Sequence, residues 1–183
     1  MPSDFSIRLA AQQIKHGGII AYPTDTIYGL GCDPYNADTV ESLNAIKRRP
    51  LDKNFILLAG QFDQIAPLIT VNSEQKNLIT NTPEPTSWIA EASSAAPAWL
   101  TDDDNNLTVR ISQNDLVKKL CRALGHAIIS TSANLSGRKP ALNDLAIRKY
   151  FGTTLDYSLA TNEKLTARPS KIIRLCDNRV IRE

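Results

Sequence analysis

IIAYPTDTIYGLG, residues 19–31, passes from a short apolar run through a polar turn to a pair of glycines. An apolar run of this length that ends at a proline is typical of a buried strand. Thr24 and Thr26 point the same way if the backbone is extended, and Gly29 and Gly31 would let the backbone approach a ligand closely. The pattern predicts hydroxyl groups at the carboxyl end of a strand, where open α/β sheets bind ligands. A plain strand followed by a turn explains the same residues.

Helical spacing and apolar runs alternate along the rest of the chain. Helices are predicted near residues 7–16, 38–47, 114–124 and 142–151, with two short helices within 61–81. Strands are predicted at 19–23, 55–59, 107–111, 127–130, 156–160 and 171–175. Asp38 and Glu41 have the spacing of a capping box, Pro50 prevents that helix from continuing, and residues 81–104 are predicted to be irregular. The alternation predicts an α/β or α+β domain around one twisted sheet.

Composition excludes several classes of protein. The 183 residues are 42% hydrophobic, but no apolar run approaches the length of a membrane span, and the start of the chain lacks a secretory signal pattern. We therefore expect a soluble, cytoplasmic protein. The net charge of +2 is too small to indicate nucleic-acid binding by itself. Cys32, Cys121 and Cys176 lie far apart, which favours free thiols in a reducing compartment and argues against a structural zinc.

KRRPLDK, residues 47–53, crowds four cations into seven residues. Cations in the last turn of a helix are stabilised by the helix dipole, so the cluster has a structural explanation. The positive charges also repel one another, and an anion such as a polyphosphate would relieve that repulsion. Both interpretations stay open at the level of these residues.

Two further stretches place polar side chains beside predicted strands. In NLTVRIS, residues 106–112, Arg110 faces the side of the strand opposite to Val109. STSANLSG, residues 130–137, offers hydroxyl and amide groups directly after an apolar run. A solvated strand face and an ordinary polar turn are the alternative explanations.

Other chemistries find little support in the sequence. A GxSxG elbow and a Walker A motif are both absent. His16 and His126 are the only histidines and neither has a telling context, so a serine–histidine triad is not indicated. The acidic run of residues 102–104 is best explained as a solvated loop.

Together, the stretches at residues 23–31, 47–50, 107–110 and 130–137 resemble the YrdC/TsaC family of threonylcarbamoyl-AMP synthases in its short form. That family carries a PT(D/E)T-x-YGLG stretch, a KxRP segment, a hydrophobic-x-VR strand and an STSAN-x-SG loop in the same order. A late PSKII, residues 169–173, resembles its C-terminal element. The resemblance implies a single YrdC-like domain over residues 1–183, with a twisted, open, mixed sheet flanked by helices and a concave ligand-binding face.

The resemblance also implies roles for individual residues. The family's basic and polar tetrad, which acts by positioning and charge without a covalent nucleophile, falls on Lys47, Arg49, Ser132 and Asn134. The residues implied for ATP are this tetrad with Lys53, Asn106 and Ser170. The residues implied for threonine are Thr24, Thr26, Arg110 and Ser130.

Departures from the family pattern concern one wall of the expected site. PEPTS, residues 83–87, stands where the family has PGPxT, so Glu84 replaces a glycine and Ser87 a threonine. Asn106 stands where relatives often have threonine or serine. The additional carboxylate of Glu84 leaves the shape and charge of that wall open.

The implied reaction joins L-threonine, bicarbonate or CO2, and ATP, and yields threonylcarbamoyl-AMP and pyrophosphate. Mg²⁺ is expected to accompany ATP, and a downstream tRNA threonylcarbamoyl transferase machinery to use the product for modification of tRNA next to the anticodon. A double-stranded RNA or tRNA-binding module and a carbamoyl-AMP-forming domain are the rival functions. Weak tRNA or double-stranded RNA binding is compatible with the basic cluster, whereas a membrane partner is not expected.

Overall fold

Helices and strands alternate in the computed structural model, which describes residues 2–48, 55–161, 165 and 168–183. The α-helices in these ranges are α1 (Asp4–Lys15), α2 (Ala37–Lys47), α3 (Ser73–Asn81), α4 (Asp115–Leu124) and α5 (Asp144–Phe151). The strands are β1 (Ile20–Pro23), β2 (Tyr28–Gly31), β3 (Ile56–Ala59), β4 (Thr86–Glu91), β5 (Asn106–Ile111), β6 (Ile128–Ser132), β7 (Tyr157–Ser158), β8 (Lys171–Arg174) and β9 (Arg179–Arg182). Short 3-10 helices are formed by Phe62–Gln64, Ala66–Leu68 and Ala98–Leu100.

All of these strands belong to one open mixed sheet. Their order is β7-β1-β2-β6-β3-β5-β4-β8-β9. The β1–β7, β3–β5 and β4–β8 pairs are parallel, and the other neighbours are antiparallel. The fold class predicted from the sequence, α/β with an open mixed sheet flanked by helices, is confirmed.

Helices α1 and α4 cover part of one face of the sheet. Every second residue of a strand points to the same face, so Ile20 and Tyr22 of β1 share a face with Leu58 of β3 and Ile128 of β6. These strand residues pack with the apolar sides of both helices in one buried cluster. Spacing of three and four residues along α1 and α4 produces those apolar sides.

Helices α2, α3 and α5 pack against the opposite face. The alternate strand residues, such as Ala21, Leu57, Val109 and Ile129, form the larger buried cluster there. Its strand residues come from the centre of the sheet, so the core extends across most of this face. The first face, in contrast, is only partly covered by its helices, and its uncovered part carries polar side chains.

Most predicted elements are confirmed, and the errors have clear local causes. The helix predicted to begin with a capping box at Asp38 is capped by Asn36, whose side chain accepts a hydrogen bond from the Thr39 amide at 3.1 Å. The segment 81–104 is not irregular throughout, because β4 lies within it; Trp88 and Ala90 alternate into the core, a pattern hidden by flanking proline and serine residues. Strands β2 and β9 were not predicted. Pro50 lies outside the described residues.

Candidate functional site

A cavity of about 340 Å³ opens on the uncovered part of the first sheet face. Along β6, Ile128 lies under the helices, whereas Ser130 and Ser132, on the same face, reach the cavity. Along β5, Thr108 and Arg110 do so. The described lining residues are Thr24, Thr26, Ile27, Tyr28, Gly29, Lys47, Ile56, Thr108, Arg110, Ser130, Thr131, Ser132, Asn134, Ser136, Gly137, Pro140, Pro169, Ser170, Ile172 and Arg182. They include three cations and no carboxylate, so the cavity suits anionic ligands.

Lys47 ties the end of α2 to the loop that follows β6. Its side chain is 5% exposed, and its ammonium group donates to the carbonyl oxygen of Ser132 and to the backbone and side-chain oxygens of Asn134, at 3.0 and 3.1 Å. The Ser132 hydroxyl also donates to the Asn134 side-chain oxygen at 2.6 Å. The structure thus brings together these members of the predicted tetrad. Arg49 and Lys53 lie outside the described residues.

Arg110 is buried and forms an ion pair with Asp25. Its relative exposure is 5%, and its Nη2 lies 2.5 Å from both carboxylate oxygens of Asp25. The Arg110 Nε is buried and has no hydrogen-bond partner among the described residues. The alternative explanation of Arg110 as a solvated strand residue is therefore wrong, because the side chain lines the cavity instead.

Thr24 and Thr26 lie on one side of the chain, as predicted, but a tight turn rather than extended backbone brings them together. The Thr24 hydroxyl donates to the Ile27 carbonyl at 2.7 Å and accepts from the Thr26 amide at 3.1 Å. The two threonine hydroxyls are 3.0 Å apart. The Thr24 hydroxyl is engaged by the Ile27 carbonyl, the Thr26 amide and the Thr26 hydroxyl, which is the donor in the contact between the two threonines. Thr26 is therefore the better candidate to accept a hydrogen bond from a ligand.

Gly29 and Gly31 leave space for the ring of Tyr22, which extends from the neighbouring strand β1 and lies over both glycines. A Cβ atom at Gly31 would lie 2.5 Å from the Ile129 carbonyl oxygen and 2.8 Å from Tyr22 Cε1. At Gly29, which lines the cavity, the nearest atom would be Ser130 Oγ at 3.2 Å. The glycines are therefore required by strand packing, and Gly29 also keeps the cavity floor open.

Ser170 and Arg182 close the far wall of the cavity. Ser170 is buried and its hydroxyl lies 2.9 Å from that of Ser87. Arg182 donates to the Ser170 carbonyl oxygen at 2.7 Å. Burial lowers the pKa of Arg182 below its ordinary value, and the positive charge of Arg110 acts in the same direction. Sequence analysis missed Arg182, because no strand was predicted at the end of the chain.

Asn106 and Glu84, two of the departures from the family pattern, lie away from the cavity lining. The Asn106 side chain donates to Asp102 at 3.2 Å and is not among the lining residues. Glu84 forms an exposed ion pair with Lys171 at 2.9 Å, so its carboxylate does not enter the cavity wall. This ion pair raises the pKa of Lys171 above its ordinary value.

Among the described residues, no group of three or more His, Cys, Asp or Glu side chains could hold a metal ion. None of the helices described above is both long and apolar enough to cross a membrane.

Known proteins match the chain along nearly its whole length. The Sua5/YciO/YrdC family model, described as "Telomere recombination", matches residues 12–183. A threonylcarbamoyl-AMP synthase of Nitrosococcus oceani is 40% identical over 171 residues, which make up 92% of each chain. The E. coli YciO structure has a TM-score of 0.88 at 26% identity, and the match covers 100% of this chain and 91% of YciO.

A further structure, P. abyssi Sua5 complexed with L-threonine, has a TM-score of 0.89 at 24% identity. The match covers 97% of this chain and 53% of that one, so this chain spans about half the length of P. abyssi Sua5. At this level of identity the likeness concerns the fold alone.

Fold, cavity and matches together define an enzyme class, the nucleotidyltransferase type to which threonylcarbamoyl-AMP synthases belong. This chain belongs to the Sua5/YciO/YrdC family. The family, the fold class and the enzyme class predicted from the sequence are confirmed. The matches support threonylcarbamoyl-AMP synthesis rather than either rival function.

Proposed function

We propose that this chain forms threonylcarbamoyl-AMP and pyrophosphate from L-threonine, CO2 or bicarbonate, and ATP. The observation that carries the proposal is a single cavity that combines a buried arginine, a threonine turn and a lysine-held polar loop. This arrangement offers separate places for a carboxylate, a small hydroxylated side chain and a nucleotide. The names of the curated relatives supply the reaction.

The amino-acid end of the cavity is assigned to Arg110, Thr26 and Ser130. The guanidinium of Arg110 binds the threonine carboxylate, because arginine offers parallel N–H donors to a carboxylate. Thr26 lies beside the threonine hydroxyl. Thr24 maintains the turn that presents Thr26.

The nucleotide end is assigned to Ser132, Asn134 and Ser170, with Lys47, Arg49 and Lys53 for the phosphates. Threonine's amine adds to CO2, loses a proton and becomes a carbamate. A carbamate oxygen then attacks the α-phosphorus of ATP, the bond to the β-phosphate oxygen breaks, and pyrophosphate leaves. The protein supplies no nucleophile; it aligns two anions and offsets their repulsion.

Mg²⁺ would arrive with ATP rather than in a preformed protein site. The described lining residues contain hydroxyl, amide and cationic groups but no carboxylate. Mg²⁺ is commonly held by substrate phosphates and water with few protein ligands. Bound in this way, it would partly neutralise the triphosphate.

Downstream, the product requires an acceptor enzyme because threonylcarbamoyl-AMP is an activated intermediate. We assign that step to a tRNA threonylcarbamoyl transferase machinery that modifies the adenosine next to the anticodon, and we place the protein in the cytoplasm. Weak binding of tRNA or double-stranded RNA to this chain would be compatible with such a transfer.

Pyrophosphate release from ATP and bicarbonate, measured with and without threonine, tests the proposal. Threonine-dependent release supports it. Release that depends on an added carbamoyl donor and not on threonine would favour a carbamoyl-AMP-forming domain instead. An RNA-binding module would show no release together with tight, salt-sensitive RNA binding.

A further inference from the structure

Arg110 is a buried cation that is paired, within the described residues, with the carboxylate of Asp25. Both carboxylate oxygens of Asp25 contact the same nitrogen, Nη2, so the pairing is end-on. The Nε atom remains without a hydrogen-bond partner in the part of the chain that the structure describes. A buried arginine held at one nitrogen keeps donor capacity for a second anion.

Asp25 is itself held by a hydrogen-bonded turn. Thr24 N donates to the Ile27 carbonyl at 3.1 Å, and the Thr24 hydroxyl bonds to both sides of the turn, at the Thr26 amide and the Ile27 carbonyl. These bonds fix the backbone on either side of Asp25. The Asp25 side chain is only 22% exposed, so its carboxylate has little freedom to turn toward solvent.

The charge balance of the cavity also depends on Asp25. Arg182 and Arg110 line the same cavity, so the two cations repel each other. With Asp25 present, one carboxylate offsets part of that charge and holds Arg110 at a defined place. Without it, Arg110 would be an uncompensated buried cation that moves toward whatever anion is available.

From this geometry we infer that Asp25 is a positioning residue for the amino-acid substrate. It holds the Arg110 guanidinium by Nη2 so that the remaining donors face the substrate carboxylate in the cavity. The inference rests on the proposed function, because that function assigns the threonine carboxylate to Arg110. It adds to that function a residue that neither contacts ATP nor takes part in the chemical step.

The test is steady-state pyrophosphate release by wild type, Asp25→Asn, Arg110→Gln and the double variant. Asp25→Asn keeps the shape of the side chain but removes the charge that holds Arg110. We expect the KM for threonine to rise by about 10- to 100-fold, the range for a lost charged hydrogen bond or a displaced binding group. The KM for ATP should change less than about two-fold. A general loosening of the fold would instead raise the KM values for threonine and for ATP together.

The double variant separates positioning from direct action. If Asp25 acts through Arg110, Asp25→Asn should add less than about two-fold to the effect of Arg110→Gln. Asp25→Glu keeps the counter-charge and should recover most of the affinity for threonine. Asp4→Asn, which breaks the exposed pair of Asp4 with Lys119, is the matched control and should behave as wild type.

Several results would overturn the inference. They are an unchanged KM for threonine in Asp25→Asn, equal losses for ATP and threonine, and additive losses in the double variant. If Asp25→Asn does not fold, Asp25→Glu and the double variant, which removes both charges, take its place in the test. A KM for threonine in Asp25→Glu as high as that in Arg110→Gln would then contradict the inference. An inactive wild type would contradict both the proposed function and this inference. An active wild type, together with an Asp25→Asn variant whose KM for threonine is unchanged, would contradict the inference alone.

Discussion

At the scale of single residues, Thr24 and Thr26 illustrate how similar side chains acquire different roles. The Thr24 hydroxyl donates to the Ile27 carbonyl within the turn. Thr26 shares the same pocket wall and lines the cavity. We therefore assign recognition of the substrate hydroxyl to Thr26 and maintenance of the turn to Thr24.

Substrate selectivity follows from that assignment. Serine lacks one methyl group of threonine, which is worth about 1–3 kcal/mol in an apolar pocket. Valine keeps the shape but lacks the hydroxyl that would hydrogen-bond to Thr26, so it should be rejected more strongly. We expect the order threonine, serine, valine in the amino-acid-dependent release of pyrophosphate. Thr26→Val should narrow the gap between threonine and valine; a wild type that prefers valine to serine would contradict this model of the pocket.

For elements, the loop after β6 depends on Asn134 more than on Ser132. The Asn134 side-chain oxygen accepts from Lys47 and from Ser132, and its Nδ2 donates to the Arg138 carbonyl at 2.7 Å. Asn134→Ala should lower the free energy of unfolding by about 1–3 kcal/mol, and Ser132→Ala by about 1 kcal/mol. Both variants should lower the rate of threonylcarbamoyl-AMP synthesis. Urea unfolding measures the difference.

A control for the loop variants is available on α3. The exposed side chain of Asn77 accepts a hydrogen bond from the exposed Asn81 side chain, so Asn77→Ala should leave both stability and activity near wild type. Equal stability of Asn134→Ala and Ser132→Ala would mean that the side-chain contacts of Asn134 do not organise the loop.

Strand β2 provides a second test at the scale of elements. Gly31→Ala would place a Cβ atom 2.5 Å from a backbone oxygen of β6, which cannot move without disturbing the sheet. We expect this overpacking to lower the free energy of unfolding by about 1–3 kcal/mol or more. Gly29→Ala, on the same face with its nearest contact at 3.2 Å, should melt at a higher temperature than Gly31→Ala. The opposite ranking in thermal unfolding would refute the packing argument.

Considered as a whole molecule, the protein buries two of its thiols. Cys32 and Cys121 are buried, whereas Cys176 is exposed. Burial raises the pKa of Cys32 and of Cys121 to about 12, from an ordinary value of 9.0. A thiol reagent should therefore modify one cysteine per native chain and all three after denaturation. Modification of more than one thiol in the native state would contradict this burial.

Alkaline pH should destabilise the fold through the same buried thiols. Because the folded-state pKa of these thiols is raised, their contribution to the free energy of unfolding is fully present below pH 9. That contribution is lost as the pH rises from 9.0 toward 12. The unfolded chain ionises first in that window. At pH 10.5 the expected loss is about 2 kcal/mol for each thiol. Urea unfolding at pH 8 and pH 10.5 measures it, and Cys121→Ala should reduce the slope with pH relative to wild type.

Local patterns in the sequence were enough to predict most of the elements and the chemical character of the site. Apolar spacing and short apolar runs predicted α1, α4, β3 and β5, because these elements bury regular faces whose period is visible along the chain. Family motifs brought Lys47, Ser132, Asn134 and Arg110 forward as candidates. Local patterns were sufficient here because each element carries its own burial signal.

Contacts between distant parts of the chain determine which groups meet in the site. The pairing of Asp25 with Arg110 joins residues 85 positions apart, and the approach of Arg182 to the cavity depends on β9 at the edge of the sheet. Strand order and the space under Tyr22 likewise come from contacts between distant strands. No local period encodes such contacts, because their energies depend on neighbours that folding brings together. The local pattern therefore predicted the residue types of the site, and long-range packing determined their partners.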